Sequence, residues 1–113
     1  MTTVVSGLRV KVGTTDGDVR VISGGKLLLV GYIGGTLTVA LGGYAFIVGT
    51  TGRLVIEPGG KAKHRGYCKG DGINEGGDLT VMRGAVIDGT LRGRSFTRVD
   101  PRAKIGEESP EPQ

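Results

Sequence analysis

The sequence has no tryptophan, two phenylalanines and three tyrosines, so aromatics make up only 4 % of its 113 residues. A helical or α/β domain of this length builds its core from large apolar side chains, and here they are scarce. The single cysteine, Cys68, excludes an intrachain disulfide and the small disulfide-stapled folds. No apolar run approaches the roughly 18 residues of a spanning helix. Met1–Val5 also lacks a basic region followed by an apolar stretch, so a soluble, cytoplasmic protein without a transmembrane segment is expected. Pro is rare and Gly does not recur at every third position, which excludes collagen. A net charge of +4 tolerates an acidic partner without requiring one.

Glycine is what the chain has in quantity, 23 residues. It loses more backbone entropy in helices and strands than any other residue, so a folded chain this rich in it must turn often. The glycines are periodic. Pairs stand at Gly24-Gly25, Gly42-Gly43, Gly59-Gly60 and Gly76-Gly77. A second series runs Gly13, Gly31, Gly49, Gly66 and Gly84, and a third runs Gly17, Gly35, Gly52, Gly70 and Gly89. All three keep a spacing of 17 to 19 residues. Between them lie short segments of alternating apolar residues, such as Lys26-Leu27-Leu28-Leu29-Val30 and Thr36-Leu37-Thr38-Val39. This is strand grammar.

Strands too short to stand alone, repeated at a fixed period, need their copies one period away. The expected fold is all-β: a single-domain parallel β-helix (β-solenoid) of about six coils over residues 1–105, right-handed rather than left-handed. Equivalent positions then stack as inward columns: Leu27, Ala45, Ala62, Leu79 and Phe96; Leu29, Ile47, His64 and Val81; Ile33, Thr51, Cys68 and Val86; Val19, Leu37, Leu54 and Leu91; Val21, Val39 and Ile56. Residues 1–12 read as an irregular first coil, with Leu8, Val10 and Val12 out of phase. Residues 94–105 read as a degraded last coil and 106–113 as a disordered, acidic, Pro-rich tail.

The pattern of Gly-Gly, strand, Gly, and then Gly17-Asp18-Val19-Arg20-Val21 or Gly35-Thr36-Leu37-Thr38-Val39 resembles the bactofilins, small polymer-forming bacterial proteins. Arg102-Ala103-Lys104-Ile105-Gly106 is similar to the ending of a bactofilin coil. The resemblance spans roughly residues 7–106 and consists of repeat grammar. It implies a right-handed triangular β-helix whose ends join into nonpolar filaments without nucleotide. The longer N-terminal segment that often carries membrane attachment in that family is not seen ahead of the first coil.

Few residues offer chemistry. His64, the sole histidine, would be the base of a hexapeptide-type acyltransferase, but the loops are too short for an acyl-donor site, and a polar replacement in an inward column is expected instead. Cys68 falls in an inward column as a small apolar group. Asp71, Asn74, Glu75 and Asp78 match neither the EF-hand nor the repeated-Asp calcium pattern and read as solvated corner residues. Lys61, Lys63, Arg65 and Lys69, with Arg83, Arg92, Arg94 and Arg98, form a basic cluster. Only Tyr67 is near it to stack a base, so nucleic acid is not expected. No catalytic, metal or cofactor site is assigned, and no small-molecule substrate.

The outward columns are more informative. Leu28, Val30, Phe46, Val48 and Met82 point away from the core, with Lys63 and Arg65 interrupting and Tyr32 and Tyr67 close by. An apolar strip on a soluble protein marks a partner surface unless a terminus folds over it. The expectation is a non-enzymatic structural protein that self-associates as a bactofilin-like scaffold or filament. The alternative is a discrete module, monomer or dimer, that holds a specific protein such as a toxin or effector on this face.

Overall fold

The computed structural model describes residues 2–93 and 97–108 and is an all-strand stack of about six coils, extending 40 × 24 × 23 Å. The strands are β1 (Thr2–Val5), β2 (Leu8–Lys11), β3 (Thr14–Thr15), β4 (Asp18–Val21), β5 (Lys26–Leu29), β6 (Tyr32–Val39), β7 (Tyr44–Ile47) and β8 (Thr50–Ile56). They continue as β9 (Lys61–His64), β10 (Tyr67–Cys68), β11 (Gly72–Asn74), β12 (Asp78–Val81), β13 (Val86–Arg92), β14 (Thr97–Val99) and β15 (Lys104–Glu108). Every pairing is parallel and joins a strand to the one a period away. One sheet runs β14-β12-β9-β7-β5-β2, and the remaining strands form a second, folded sheet.

The three sides of a coil follow from where glycine lets the chain bend. The first glycine of each pair has positive φ: Gly24 at 84°, Gly42 at 79°, Gly59 at 83° and Gly76 at 127°. Other residues reach that region only at a steric cost, so these corners recur wherever Gly-Gly does. At the next corner the requirement is proximity. A Cβ on Gly31, Gly49 or Gly66 would run into the backbone of the coil below.

The inward columns are the core. Leu27, Ala45, Ala62 and Leu79 stack in register, as do Leu29, Ile47, His64 and Val81. Their apolar members are at most 2 % exposed. Val5 joins the column of Val21, Val39 and Ile56. The first coil is out of phase, as expected: Arg9 pairs with Leu27 and Lys11 with Leu29, which turns Leu8, Val10 and Val12 outward.

Several positions differ from the sequence reading. Cys68 stacks on Ile87, and Val86 pairs with Tyr67, because the corner after β12 is two residues longer than its equivalents. That extra length is a turn closed by the Ala85 amide donating to Met82 O, with Gly84 at φ 86°. Gly84 is therefore not in the Gly31–Gly49–Gly66 series, and Ala85 takes the equivalent place. Between Leu54 and Leu91 the column holds Gly72. Asn74 is not a solvated corner residue: it stacks on Ile56 and is 3 % exposed. The last strand reaches Glu108, three residues past the expected boundary at 105. The place above Leu79 expected for Phe96 is held by Thr97, because β14 pairs with β12 one residue later than a constant period would put it. Arg94 and Phe96 themselves lie outside the described residues, as does the tail from residue 109.

Candidate interaction face

The six-stranded sheet presents one flat side to solvent. Alternation along each strand fixes which residues lie on it: with Leu27 and Leu29 inward, Lys26, Leu28 and Val30 are outward, and register carries this to every coil. One outward column runs Val10, Leu28, Phe46, Lys63, Thr80 and Arg98. Beside it run Leu8, Lys26, Tyr44, Lys61 and Asp78 on one flank. On the other flank, Val12, Val30, Val48, Arg65 and Met82 each follow the last residue of a strand.

The face is divided in two along the solenoid. Over β2, β5 and β7 it is apolar, with Leu8 81 % exposed, Val12 69 %, Val10 55 %, Val30 48 % and Val48 44 %, while Leu28 and Phe46 are half-buried. From β9 onward it is basic: Lys61, Lys63, Arg65, Arg83 and Arg98 are exposed, and Met82 is half-buried. A shallow depression of about 390 Å³ lies among Arg65, Met82, Arg83 and Gly84. On this side Lys26, Lys61, Lys63, Arg65, Arg83 and Arg98 stand against Asp78 and Asp100. Six cations against two carboxylates leave a local excess of four positive charges on this side.

Seven of the nine residues expected on the interaction face lie on it: Leu28, Val30, Phe46, Val48, Lys63, Arg65 and Met82. Tyr32 and Tyr67 are around the glycine corner, in a column with Thr50 and Val86, and each has a partner there. Lys69 Nζ donates to Tyr32 Oη at 2.9 Å and sits 4.9 Å over its ring centre. Tyr67 Oη donates to Asp88 Oδ2. The first coil does not fold over the strip. It extends it, adding Leu8, Val10 and Val12, which the sequence reading had placed in the first coil without joining them to this surface.

His64 and Cys68 do not reach this face. His64 is fully buried, and burial pushes its imidazole down to about 4, a fall only partly offset by the bond to Val86 O. Cys68 is also buried, which pushes its thiol up and makes the thiolate scarce. Asp71 Oδ1 accepts the Thr90 amide at 2.9 Å, and Asp18 Oδ1 accepts that of Thr36 at 2.8 Å, so both carboxylates tie one coil to the next. Among the described residues, no three His, Cys, Asp or Glu side chains are grouped to hold a metal ion, and no helix is long and apolar enough to cross a membrane.

The chain matches no protein-family model, and no curated protein or solved structure is significantly similar to it.

Proposed function

We propose that this chain is a non-enzymatic cytoplasmic structural protein that associates with copies of itself through the ends of its coil stack, as a bactofilin-like scaffold does. The observation that carries the reading is the state of those ends. Among the described residues, β1, β2 and β3 have no strand on one side and β14 and β15 none on the other. Unpaired parallel edges of a regular stack are templates for another copy of the same stack.

A second reading has its own observation. Arg9 and Lys11 occupy the registers of inward columns, and charges there blunt one edge. On that reading the chain is a discrete module whose apolar and basic face holds a different protein, such as a toxin or effector. Light scattering over a range of concentrations, with electron microscopy of the same samples, separates the two. Growth into thin filaments is expected; a monomer or dimer of constant mass at every concentration would sink the scaffold reading.

A further inference from the structure

We infer that the apolar half of the flat face is covered by the same half of a second copy, with the two solenoids antiparallel and β5 lying over its counterpart. This rests on the self-association proposed above and names a contact beyond the coil ends.

The pattern on the face selects the arrangement. On this face the exposed apolar side chains belong to the β2, β5 and β7 rows, and, Lys26 at one flank apart, basic ones begin at β9, where Phe46 is followed by Lys63 and Val48 by Arg65. Two flat sheet faces pack about 10 Å apart. A two-fold axis along the solenoid would lay Lys63 over its own copy and Lys61 over Arg65, like charge on like charge in a closing interface. A two-fold axis along β5 turns one copy end for end. Val10 then faces Phe46, Leu28 faces Leu28, Val12 faces Val48 and Val30 faces Val30. In this arrangement β9 of each copy falls beyond β2 of the other, and its cations stay in water. Lys26 meets its equivalent only at the rim, where its stem is long enough to carry the ammonium into solvent.

The apolar half also has largely apolar side chains on both sides of β5. Leu8 and Tyr44, Val10 and Phe46, and Val12 and Val48 flank it at equivalent places. An isologous contact needs that self-complementarity, and a different protein or a lipid surface does not. Three strands of five residues cover about 14 by 16 Å, roughly 220 Å² of flat contact per partner against the ~800 Å² of a standard interface. The pair is accordingly weak and concentration-dependent.

Single-cysteine variants test the geometry in the full chain. With a short bis-maleimide, Val30→Cys should cross-link to itself, increasingly with concentration, whereas Arg65→Cys should not. Wild type, whose Cys68 is buried, sets the background. Val30→Asp should weaken pairing by at least about tenfold, since it sets a carboxylate against its own copy within the contact. Cross-linking of Arg65→Cys as strong as that of Val30→Cys would overturn the antiparallel arrangement. Absence of Val30→Cys cross-links at concentrations where scattering detects larger species would overturn the pairing and leave the coil-end reading standing. Cross-linked Val30→Cys pairs with no growth past a dimer would do the reverse. Co-sedimentation with phosphatidylglycerol vesicles that Val30→Asp abolishes, with no cross-link, would assign the face to a membrane and overturn the inference.

Discussion

His64 Nε2 lies 3.4 Å from the Val86 carbonyl oxygen, while Nδ1 of the same ring, equally buried, has no partner. The ring sits between Ile47 and Val81, in a column that is otherwise apolar from Leu29 to Val99. Its imidazole is held at about 4, below the usual 6.5, so the folded chain keeps it neutral while the unfolded chain protonates first. Stability is therefore full above pH 6.5 and falls as the pH drops towards 4, by about 3 kcal/mol if the whole depression is expressed. His64→Leu should flatten that slope in urea melts between pH 7 and pH 4. It should also raise stability at pH 7 by about 1 kcal/mol, because it removes an unsatisfied buried nitrogen. An unchanged slope in the variant would mean that other groups govern the acid limb.

Much of this core was legible because the Gly-Gly pairs fix the phase of the strand that follows each one. The columns through Leu27 and Leu29 come straight from counting on from them. The column through Cys68 went astray at its last member because nothing in Met82-Arg83-Gly84-Ala85 marks the corner as two residues longer. Gly84 even mimics the periodic glycine, whose place Ala85 takes. Asn74 was misread for a different reason. Its neighbours Asp71, Glu75 and Asp78 look like a wet corner, and its inward position depends on bonds to Gly76 and Gly77 that only folding brings about. The outward strip was visible over β5 and β7. Its extension to Leu8 and Val10 needed the register of the first coil, which the Gly7 carbonyl sets by accepting the Lys26 amide at 3.0 Å.

Gly13, Gly31, Gly49 and Gly66 occupy one corner in successive coils but differ in what lies beneath. A methyl group on Gly49 would collide with the Gly31 oxygen and the Val30 carbonyl, backbone that cannot retreat because Thr50 donates to Gly31 O at 3.0 Å. Gly13 belongs to the first coil and has nothing within 4 Å of the same position. Gly49→Ala should cost about 3 kcal/mol in chemical denaturation. Gly13→Ala should stay within about 0.5 kcal/mol of wild type. Equal losses at the two sites would show that flexibility, rather than close approach, makes glycine necessary there.

Asn74 closes the corner after β11 with both ends of its amide. Oδ1 accepts the Gly76 amide at 3.1 Å and the Gly77 amide at 2.7 Å, and Nδ2 donates to Gly77 O and Thr97 Oγ1 at 3.0 Å each. Asn74→Ala leaves those groups without their partner in a dry interior, and a loss of about 2–4 kcal/mol is expected from the several bonds together. Asn74→Asp preserves the acceptor but removes the donor and adds a buried charge, so it should fare little better at neutral pH and recover partly in acid. Thermal melts at pH 7 and pH 5 check both. An Asn74→Ala protein as stable as wild type would mean that water replaces the amide.

Arg9 and Lys11 stand where every later coil up to Ile47 places an apolar side chain, in register with Leu27 and Leu29. A further stack docking on this end would have to draw both cations towards a narrow apolar core, a desolvation cost of several kcal/mol per ion without a partner. At the other end the column of Lys11 closes on Val99 and that of Arg9 on Thr97, neither of them charged, and Ile105 on Ile87 is, like Val99, partly buried against the core. The N-terminal end is thus the discouraged one for coil-on-coil growth. Arg9→Val with Lys11→Val restores the column pattern, leaves the outward strip of Leu8, Val10 and Val12 untouched, and should lower the concentration at which assemblies appear by about tenfold or more. Light scattering of the double variant beside wild type measures that onset. If it does not move, the two charges are not what limits growth at this edge.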